Sequence, residues 1–310
     1  MYTSNARFVF ELLQNADDNT YDTAQAARQD PYVSFNLYHD KLVVDCNEDG
    51  FTPANLRAIC DVGSSSKSCS QGYIGEKGIG FKSVFMAAWK VHIHSGDFSF
   101  SFIHHKGDSG MGMVNPIWED PPQALPRPNH TRITLFLHQS EDADQMRRER
   151  EDIKKQFRDL EPAILLFVGK LRRIDITFFN RGGQHYWATR LTRCQAPEVN
   201  QALVEKRVSE GASLDDVEPE SHIHYITEHI ATNVAPHEDR TPSASDRSSR
   251  QSKIVLAFPI TAQSVPIIEP QNVFAFLPMK QMGFNVGVKS HHEKQPNTWF
   301  SFANSIISPS

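Results

Sequence analysis

The chain has 310 residues, and its 32 Lys and Arg against 37 Asp and Glu give a formal charge of −5 with neutral histidines. With 39% hydrophobic and 22% charged residues, the composition is typical of a globular protein of one or two domains and excludes collagen, a coiled coil and wholesale disorder. The mild acidity gives no general electrostatic reason to bind nucleic acid or an anionic membrane, so neither is an expected partner.

The first predicted element is a helix over residues 7–18. Apolar residues recur there at the spacing of one helix face, namely Val9, Leu12, Leu13 and Ala16. Glu11, Asn15 and Asp18 fall on the opposite face, within about 60° of one another. This polar stripe indicates either a helix that lines a site or an ordinary solvated helix face.

A hairpin and a short helix follow. Residues 32–38 alternate between apolar and polar side chains, and 42–45 continue as a second strand after a turn. Thr52 and Pro53 form a good N-cap and first-turn pair for a helix that ends at Asp61. The Ser-rich stretch 63–72 is predicted to be a mobile loop.

Helices and strands then alternate as far as residue 180. The pattern predicts a helix at 78–90, strands at 91–95, 98–102 and 131–137, a charged helix at 141–160 and a strand at 174–179. Helices laid against antiparallel pairings predict an α+β fold and not a doubly wound parallel one.

The periodicity weakens after residue 180. Residues 254–258 and 273–277 have the pattern of buried strands, so 181–310 is expected to be a smaller β-rich segment. Within it, the polar and Ser-rich stretch 236–252 is predicted to be a disordered insertion.

Other features of the sequence bear on location. The four cysteines lack the spacing of zinc ligands, and nothing at the N-terminus resembles a signal peptide. The longest apolar run, 163–168, is far shorter than the roughly 20 residues of a membrane-spanning helix. We therefore expect an intracellular protein of a reducing compartment, cytoplasmic or nuclear.

The most informative segment is the glycine-rich stretch 72–83. Gly75, Gly78 and Gly80 leave backbone N–H groups unobstructed, and a helix that starts there directs its positive end towards the loop. Such a loop suits phosphate, although a structural glycine-rich turn has the same composition. Lys77 would either add a cation to a phosphate site or lie in solvent on the loop.

Four blocks of the chain resemble, in order, the nucleotide-binding boxes of the GHKL (Bergerat-fold) ATPases. These blocks are 11–18, 45–51, 74–83 and the strand that opens at Thr131. The resemblance covers about residues 7–180, and the stretch 74–83 is most similar to the phosphate loop of the ninety-kilodalton heat-shock chaperone. It implies an ATP-binding domain at 1–180, built as a two-layer Bergerat sandwich of a mostly antiparallel sheet with helices on one face.

The resemblance also implies roles for individual residues. Glu11 would be the general base, Asn15 the Mg²⁺ ligand with Asp18 beside it, and Thr131 the support for adenine recognition. The phosphates would be held by the loop residues Gly75, Lys77, Gly78, Ile79, Gly80 and Phe81. Residues 64–72 would form the lid whose closure converts the nucleotide state into a change of shape.

Three residues compete for the role of reading adenine. The family places an aspartate in a D-x-G-x-G turn, and alignment on Gly50 puts Cys46 at that position. Alignment on the strand 42–44 puts Asp45 there instead, while sacsin-like relatives carry asparagine near Asn47. Because a thiol is a poor partner for an exocyclic amine, Asp45 or Asn47 is favoured.

Within the superfamily the chain resembles the sacsin and NO VEIN group of large eukaryotic proteins, through residues 11–19, 47–51, 59–63 and 73–85. This resemblance implies binding and slow hydrolysis of Mg-ATP, coupled to a chaperone-like conformational switch that acts on protein clients or partner domains. The alternative is a nucleotide-sensing or scaffolding module that binds ATP without turnover or has lost binding. The intact Glu11 argues for turnover.

Overall fold

The structure, a computed structural model, has an α+β fold with a large and mostly antiparallel sheet. It describes residues 8–60, 81, 83–104, 116–122, 124–125, 130–196, 198–231, 252–275, 277–281 and 287–290. The chain divides into two compact units. Met1–Gln195 and Leu203–His222 form the first unit, and Ala196–Ala202 and Ile223–Ser310 form the second.

The first unit contains a sheet whose strands run in the order β9-β8-β7-β1-β2-β6-β3-β4-β5. These strands are β1 (Tyr32–Leu37), β2 (Lys41–Cys46), β3 (Ala88–Ser95), β4 (Phe98–Ile103), β5 (Ile117–Trp118), β6 (Thr131–Leu137), β7 (Arg173–Phe179), β8 (His185–Cys194) and β9 (Gln201–Ser209). Neighbouring strands are antiparallel except β1 and β7, which are parallel. The mostly antiparallel sheet expected from the sequence is thus confirmed.

Among the described residues, the first unit has fewer helices than strands. They are α1 (Phe8–Asp18), α2 (Asp22–Ala26), α3 (Pro53–Cys60), α4 (Ala143–Arg158) and α5 (Ile164–Phe167), with 3-10 turns at Ser83–Met86 and Leu214–Asp216. The predicted apolar face of α1 is buried, while its polar stripe is only partly covered. At α3, Thr52 Oγ1 accepts from the N–H of Asn55, as the predicted N-cap requires.

The helices α1 and α4 approach the same face of the sheet. The ring of Phe157 on α4 lies 5.1 Å from that of Phe35 on β1. Cys46 on β2 projects from the same face, because the antiparallel register places it two positions from the partner of Phe35. The Cys46 thiol contacts the hydroxyl of Tyr21, which also donates to the carbonyl of Ala16 in α1. Strand residues of opposite parity therefore face away from both helices.

One predicted element is wrong within the described residues. In place of a helix that continues to Lys90, a 3-10 turn occupies Ser83–Met86 and β3 begins at Ala88. The register of β3 with β6 pairs Ala88 with Leu137 and buries both side chains. This long-range pairing outweighs the local helical preference of the segment. Residues 78–80 and 82 lie outside the described ranges.

The described helices and strands of the second unit are all strands. Their order is β13-β12-β14-β11-β10, and β12 and β14 are parallel while the other described pairs are antiparallel. The strands are β10 (Glu220–Ala231), β11 (Ser252–Ile260), β12 (Asn272–Ala275), β13 (Leu277–Gln281) and β14 (Gly287–Ser290). The predicted strand 254–258 lies in β11, and 273–277 spans β12 and the start of β13. The predicted disordered stretch lies outside the described residues, apart from Ser252, which opens β11.

The described part of the chain contains no helix with both the length and the apolar character needed to cross a bilayer.

Candidate functional site

Helix α1 presents three partly exposed polar residues, Glu11, Asn15 and Asp18, on the face opposite its buried apolar stripe. The side-chain amide of Asn15 makes no hydrogen bond within the described ranges. An amide oxygen in this state is able to coordinate a hard cation such as Mg²⁺. The stripe predicted from the sequence therefore exists as a partly exposed polar surface.

Asp17 anchors the end of α1 and was not singled out from the sequence. Its carboxylate accepts from three consecutive backbone N–H groups, with Oδ2 at 2.6 Å from Gly169 N and Oδ1 at 2.7 Å from Lys170 N and 2.9 Å from Leu171 N. The side chain is 3% exposed. Because three donors converge on one buried carboxylate, α1 is fixed to the segment that leads into β7.

Asp45 lies on the face of the sheet away from α1 and α4. Its carboxylate forms a two-point ion pair with Arg132 of β6, at 2.6 Å from Nε to Oδ1 and 3.1 Å from NH2 to Oδ2. Arg132 and Asp45 are direct partners in the β2–β6 register. Both acceptor oxygens of this favoured adenine reader are thus occupied by a guanidinium group.

Asn47, the other favoured adenine reader, holds the start of β1 in place. Its Nδ2 donates to the carbonyl of Asp30 at 2.9 Å, and its Oδ1 accepts from the N–H of Tyr32 at 2.7 Å. The residue is 3% exposed. Its amide satisfies backbone groups of its own sheet, as buried polar side chains commonly do.

The loop after β2 is held at both ends. Gly50 has a φ of +86°, which side chains with a Cβ rarely adopt, and an added Cβ would lie 3.4 Å from Ser95 Oγ. The same hydroxyl accepts from Phe51 N at 2.8 Å. Asp49 accepts from the N–H groups of Asp22 and Thr23, each at 2.8 Å. Gly50 is therefore a structural requirement of this turn.

A cluster of buried polar residues lies where β2 and β3 end and β6 begins, on the face of the sheet that carries α1. We call it the strand-end cluster, and it consists of Tyr21, Cys46, Glu48, Ser95 and Thr131. The Tyr21 hydroxyl lies 3.0 Å from the Cys46 thiol, and the hydroxyls of Ser95 and Thr131 lie 2.5 Å apart. Burial is the main factor that raises the pKa of both Tyr21 and Cys46, so both are neutral at physiological pH.

Glu48 is the unusual member of the cluster. It is 2% exposed, and neither carboxyl oxygen has a hydrogen-bond partner among the described residues. Burial raises its pKa to about 7, the nearby Thr131 hydroxyl opposes this shift, and the charge of Asp49 adds to it. The Thr131 hydroxyl is thus close enough to act on the carboxyl without forming a bond of good geometry. Two buried acceptors are left without donors, which is rare in folded proteins.

Glu48 was missed in the sequence because the family pattern drew attention to Asp45, Cys46 and Asn47. Strand alternation could not have found it, because Glu48 lies in the bend that follows the end of β2 at Cys46.

Several predicted residues lie outside the described ranges, namely Gly75, Lys77, Gly78, Ile79, Gly80 and the lid 64–72. Phe81 is described and is half-buried. Thr131 opens β6 as predicted and is 3% exposed. The structure therefore brings Thr131, Cys46 and Glu48 together and separates them from Asp45.

No family model matches the sequence. The chain is 37% identical to Protein NO VEIN of Arabidopsis thaliana over an alignment of 186 residues, and the match covers 56% of this chain. The match covers 7% of the plant protein, so the chain spans only a small part of that relative's length. This similarity supports the predicted likeness to the NO VEIN group, while the wider relationship to the GHKL ATPases stays a prediction.

Proposed function

We propose that the chain binds Mg-ATP in a Bergerat-type pocket between α1 and the strand-end cluster, and hydrolyses it slowly to drive a change of shape. Two features support the proposal. The helices α1 and α4 approach one face of a mostly antiparallel sheet. The polar stripe of α1, the loop after β2 and the start of β6 follow the chain order of the GHKL nucleotide boxes.

The observation that carries the proposal is the buried carboxyl group of Glu48, whose two oxygens accept no hydrogen bond of good geometry from the described residues. An unsatisfied buried acceptor costs about 1–3 kcal/mol, and a donor from a ligand would remove that cost. The 6-amino group of adenine is such a donor. Asp45 is engaged by Arg132. We therefore assign adenine recognition to Glu48, with the hydroxyl of Thr131 beside it.

Residues on α1 fit the remaining chemistry. Asn15 would hold Mg²⁺ through its amide oxygen, because that amide has no other described partner. Bound Mg²⁺ would supply neutralisation of phosphate charge. Glu11, one helical turn earlier on the same stripe, would accept the proton of the attacking water. Both side chains project from a helix that Asp17 anchors.

The remaining parts of the proposal concern residues outside the described ranges and outside the chain. The glycine-rich loop with Gly75, Gly78 and Gly80 would hold the phosphates, and 64–72 would close over them. The match to a small part of a much longer plant protein supports a module that passes its change of shape to partner domains or protein clients. The three described cysteines, Cys46, Cys60 and Cys194, are free thiols.

The role of Glu48 is tested by calorimetric titration with ATP and with purine riboside triphosphate, which lacks the 6-amino group. Wild type should prefer ATP by about tenfold or more. Glu48→Ala should lose that preference, Glu48→Gln should keep part of it because an acceptor oxygen remains, and Asp45→Asn should keep all of it. An undiminished preference in Glu48→Ala would contradict the assignment.

A second candidate function is a module that binds ATP without turnover. The observation that favours it is the thiol of Cys46, which lies on the α1 face of β2, at the position that alignment on Gly50 gives to the family's aspartate. Steady-state phosphate release separates the two functions. Turnover that falls at least about a hundredfold in Glu11→Gln, with ATP affinity retained, supports the enzyme. Equal background rates in both proteins, with binding intact, support the binder.

A further inference from the structure

A groove with a volume of about 390 Å³ lies at the end of the sheet where β1 stops and β2 begins. Helix α4, the turn after β1 and the turn between β7 and β8 form its walls. Leu37 pairs with Leu42 at this end, whereas Val33 pairs with Cys46 at the other. Val33 and Leu37 are roughly 13 Å apart at the rise of a strand, so the groove is separate from the strand-end cluster.

The groove is positively charged. The charged side chains that line it are Arg147, Arg150, Glu151, Lys154 and Arg181. Those on α4 recur at the spacing of one helix face. Arg148, which lies between them in the sequence, does not line the groove and is exposed to solvent. In the sequence the basic residues of this helix are interleaved with acidic ones. In the folded chain four basic side chains and one carboxylate line the groove, although the formal charge of the chain is −5.

Arg150 is the most buried of these cations, with 8% of its surface exposed. Its Nε donates to the carbonyl of His39 at 3.2 Å and its NH2 to that of His138 at 2.7 Å. Within the described ranges NH1 has no partner and no carboxylate lies at ion-pair distance. Burial lowers its pKa, and the charges of Glu149 and Asp40 only partly oppose this. A buried guanidinium without a counter-ion is unusual, since buried charges are normally paired.

The cations at the rim keep donors available. Arg181 contacts the ring nitrogen Nε2 of His39 at 3.1 Å, which leaves most of its guanidinium uncommitted. Arg147 is 4.0 Å from Asp144, and both side chains are more than three-quarters exposed, so that pair is weak. Among the cations of the groove, only Lys154 has a carboxylate of a described residue within 3 Å, that of Glu151 at 2.7 Å.

We propose that this groove binds a small, multiply charged oxyanion, such as a phosphate ester or a polycarboxylate. Arg150 would contact it from the buried side, and Arg147 and Arg181 from α4 and from the β7–β8 turn. Planar guanidinium groups match the geometry of phosphate and carboxylate oxygens and form two-point hydrogen bonds with them. The volume is that of a small-ligand pocket. Occupancy would supply the buried Arg150 with its missing counter-ion.

The test is titration of the full chain with inorganic pyrophosphate, followed by calorimetry and by the methyl resonance of Met146, which lines the groove. We expect saturable binding that shifts this resonance. The double variant Arg147→Ala/Arg181→Ala should bind roughly tenfold more weakly or worse. Both side chains are exposed, so the fold should survive their loss.

The matched control is Arg148→Ala, which removes the neighbouring arginine of the same helix outside the groove. It should bind pyrophosphate within about twofold of wild type. If Arg148→Ala lost as much affinity for pyrophosphate as the double variant, the effect would come from net charge alone and the proposal would be overturned. So would a Met146 resonance that does not move, which would locate binding elsewhere, for instance at the phosphate loop of the proposed nucleotide site.

Citrate provides the second arm of the experiment. If phosphate-type anions are the ligand class, pyrophosphate should bind more tightly than citrate and displace it from the groove. If polycarboxylates are the class, the order should be reversed. Failure of both anions to shift Met146 in a folded protein would contradict the proposal without affecting the proposed ATP site.

Discussion

Asp45 and Arg132 form a two-point ion pair between adjacent strands, on the face of the sheet away from α1. The carboxylate closest in the sequence to the family's adenine-reading aspartate is therefore a cross-strand bridge. The pair is about one-tenth exposed at each side chain, so its contribution is that of a largely buried interaction.

The first prediction concerns this ion pair. Asp45→Ala should lower the free energy of unfolding by about 2–4 kcal/mol, because it removes the carboxylate that accepts two hydrogen bonds from the largely covered guanidinium of Arg132. The double variant that also replaces Arg132 should lose less free energy of unfolding than the two single variants lose together. Chemical denaturation of the four proteins of this double-mutant cycle measures the difference. Affinity for ATP should stay within about twofold. A tenfold loss of ATP affinity without a loss of stability would instead make Asp45 a ligand residue.

The second prediction is a pH dependence of stability from Glu48. Its pKa of about 7 in the folded protein lies above its ordinary value of 4.5, so the folded state holds a proton that the unfolded state releases between these values. Below about pH 4.5 Glu48 is protonated in both states, and its contribution to the free energy of unfolding is fully present. As the pH rises from about 4.5 to about 7 this contribution is lost, and the free energy of unfolding falls by roughly 3 kcal/mol in total.

Glu48→Gln should remove this dependence, so its stability relative to wild type should increase from pH 5 to pH 8. Denaturation curves over that range measure the difference, and Glu210→Gln at an exposed turn controls for the loss of one carboxyl group. A difference between wild type and Glu48→Gln that does not change with pH would show that Glu48 ionises normally.

The third prediction concerns Asp17. Asp17→Asn should lower the free energy of unfolding by about 2–4 kcal/mol, because an amide cannot accept from three N–H groups as a carboxylate does. Hydrogen exchange should accelerate at Gly169 and Leu171. The exposed neighbour Asp22 gives the control, since Asp22→Asn should cost less than about 1 kcal/mol. Unchanged protection at 169–171 in Asp17→Asn would contradict the anchoring role.

The fourth prediction compares Gly50 with a second glycine of positive φ, Gly183. Gly50 and Gly183 both have positive φ, at +86° and +76°, but only at Gly50 does an added Cβ meet another group, Ser95 Oγ. Gly50→Ala and Gly183→Ala should each cost about 1–2 kcal/mol of stability. Only Gly50→Ala should also weaken ATP binding, because it shifts the loop that carries Glu48. Equal ATP affinity in the two variants would show that the loop after β2 does not take part in ATP binding.

Local patterns predicted those parts of the fold that depend on neighbouring residues. The spacing of Val9 and Leu13 was sufficient for α1, and strict alternation was sufficient for β1 and for its hairpin with β2. The start of β3 was predicted incorrectly, because the burial of Ala88 depends on Leu137, about fifty positions further along the chain.

The candidate site divides in the same way. The polar stripe of α1 and the position of Thr131 at the start of β6 follow from local sequence. The engagement of Asp45 does not, because Arg132 lies 87 positions away. Without knowledge of which face of β2 carries α1, the sequence cannot distinguish Asp45 from Glu48. The sequence does not predict the groove beside Arg150 either, because its walls come from α4 and from turns that are distant in the sequence.

The most direct test of the central proposal is calorimetric titration of the folded chain with ATP, with and without Mg²⁺, beside Asn15→Ala. The account predicts magnesium-dependent binding in wild type and its loss, by about tenfold or more, in the variant, because the amide oxygen of Asn15 would be a metal ligand. Absence of ATP binding by a folded wild-type chain, or full magnesium-dependent affinity in Asn15→Ala, would contradict it.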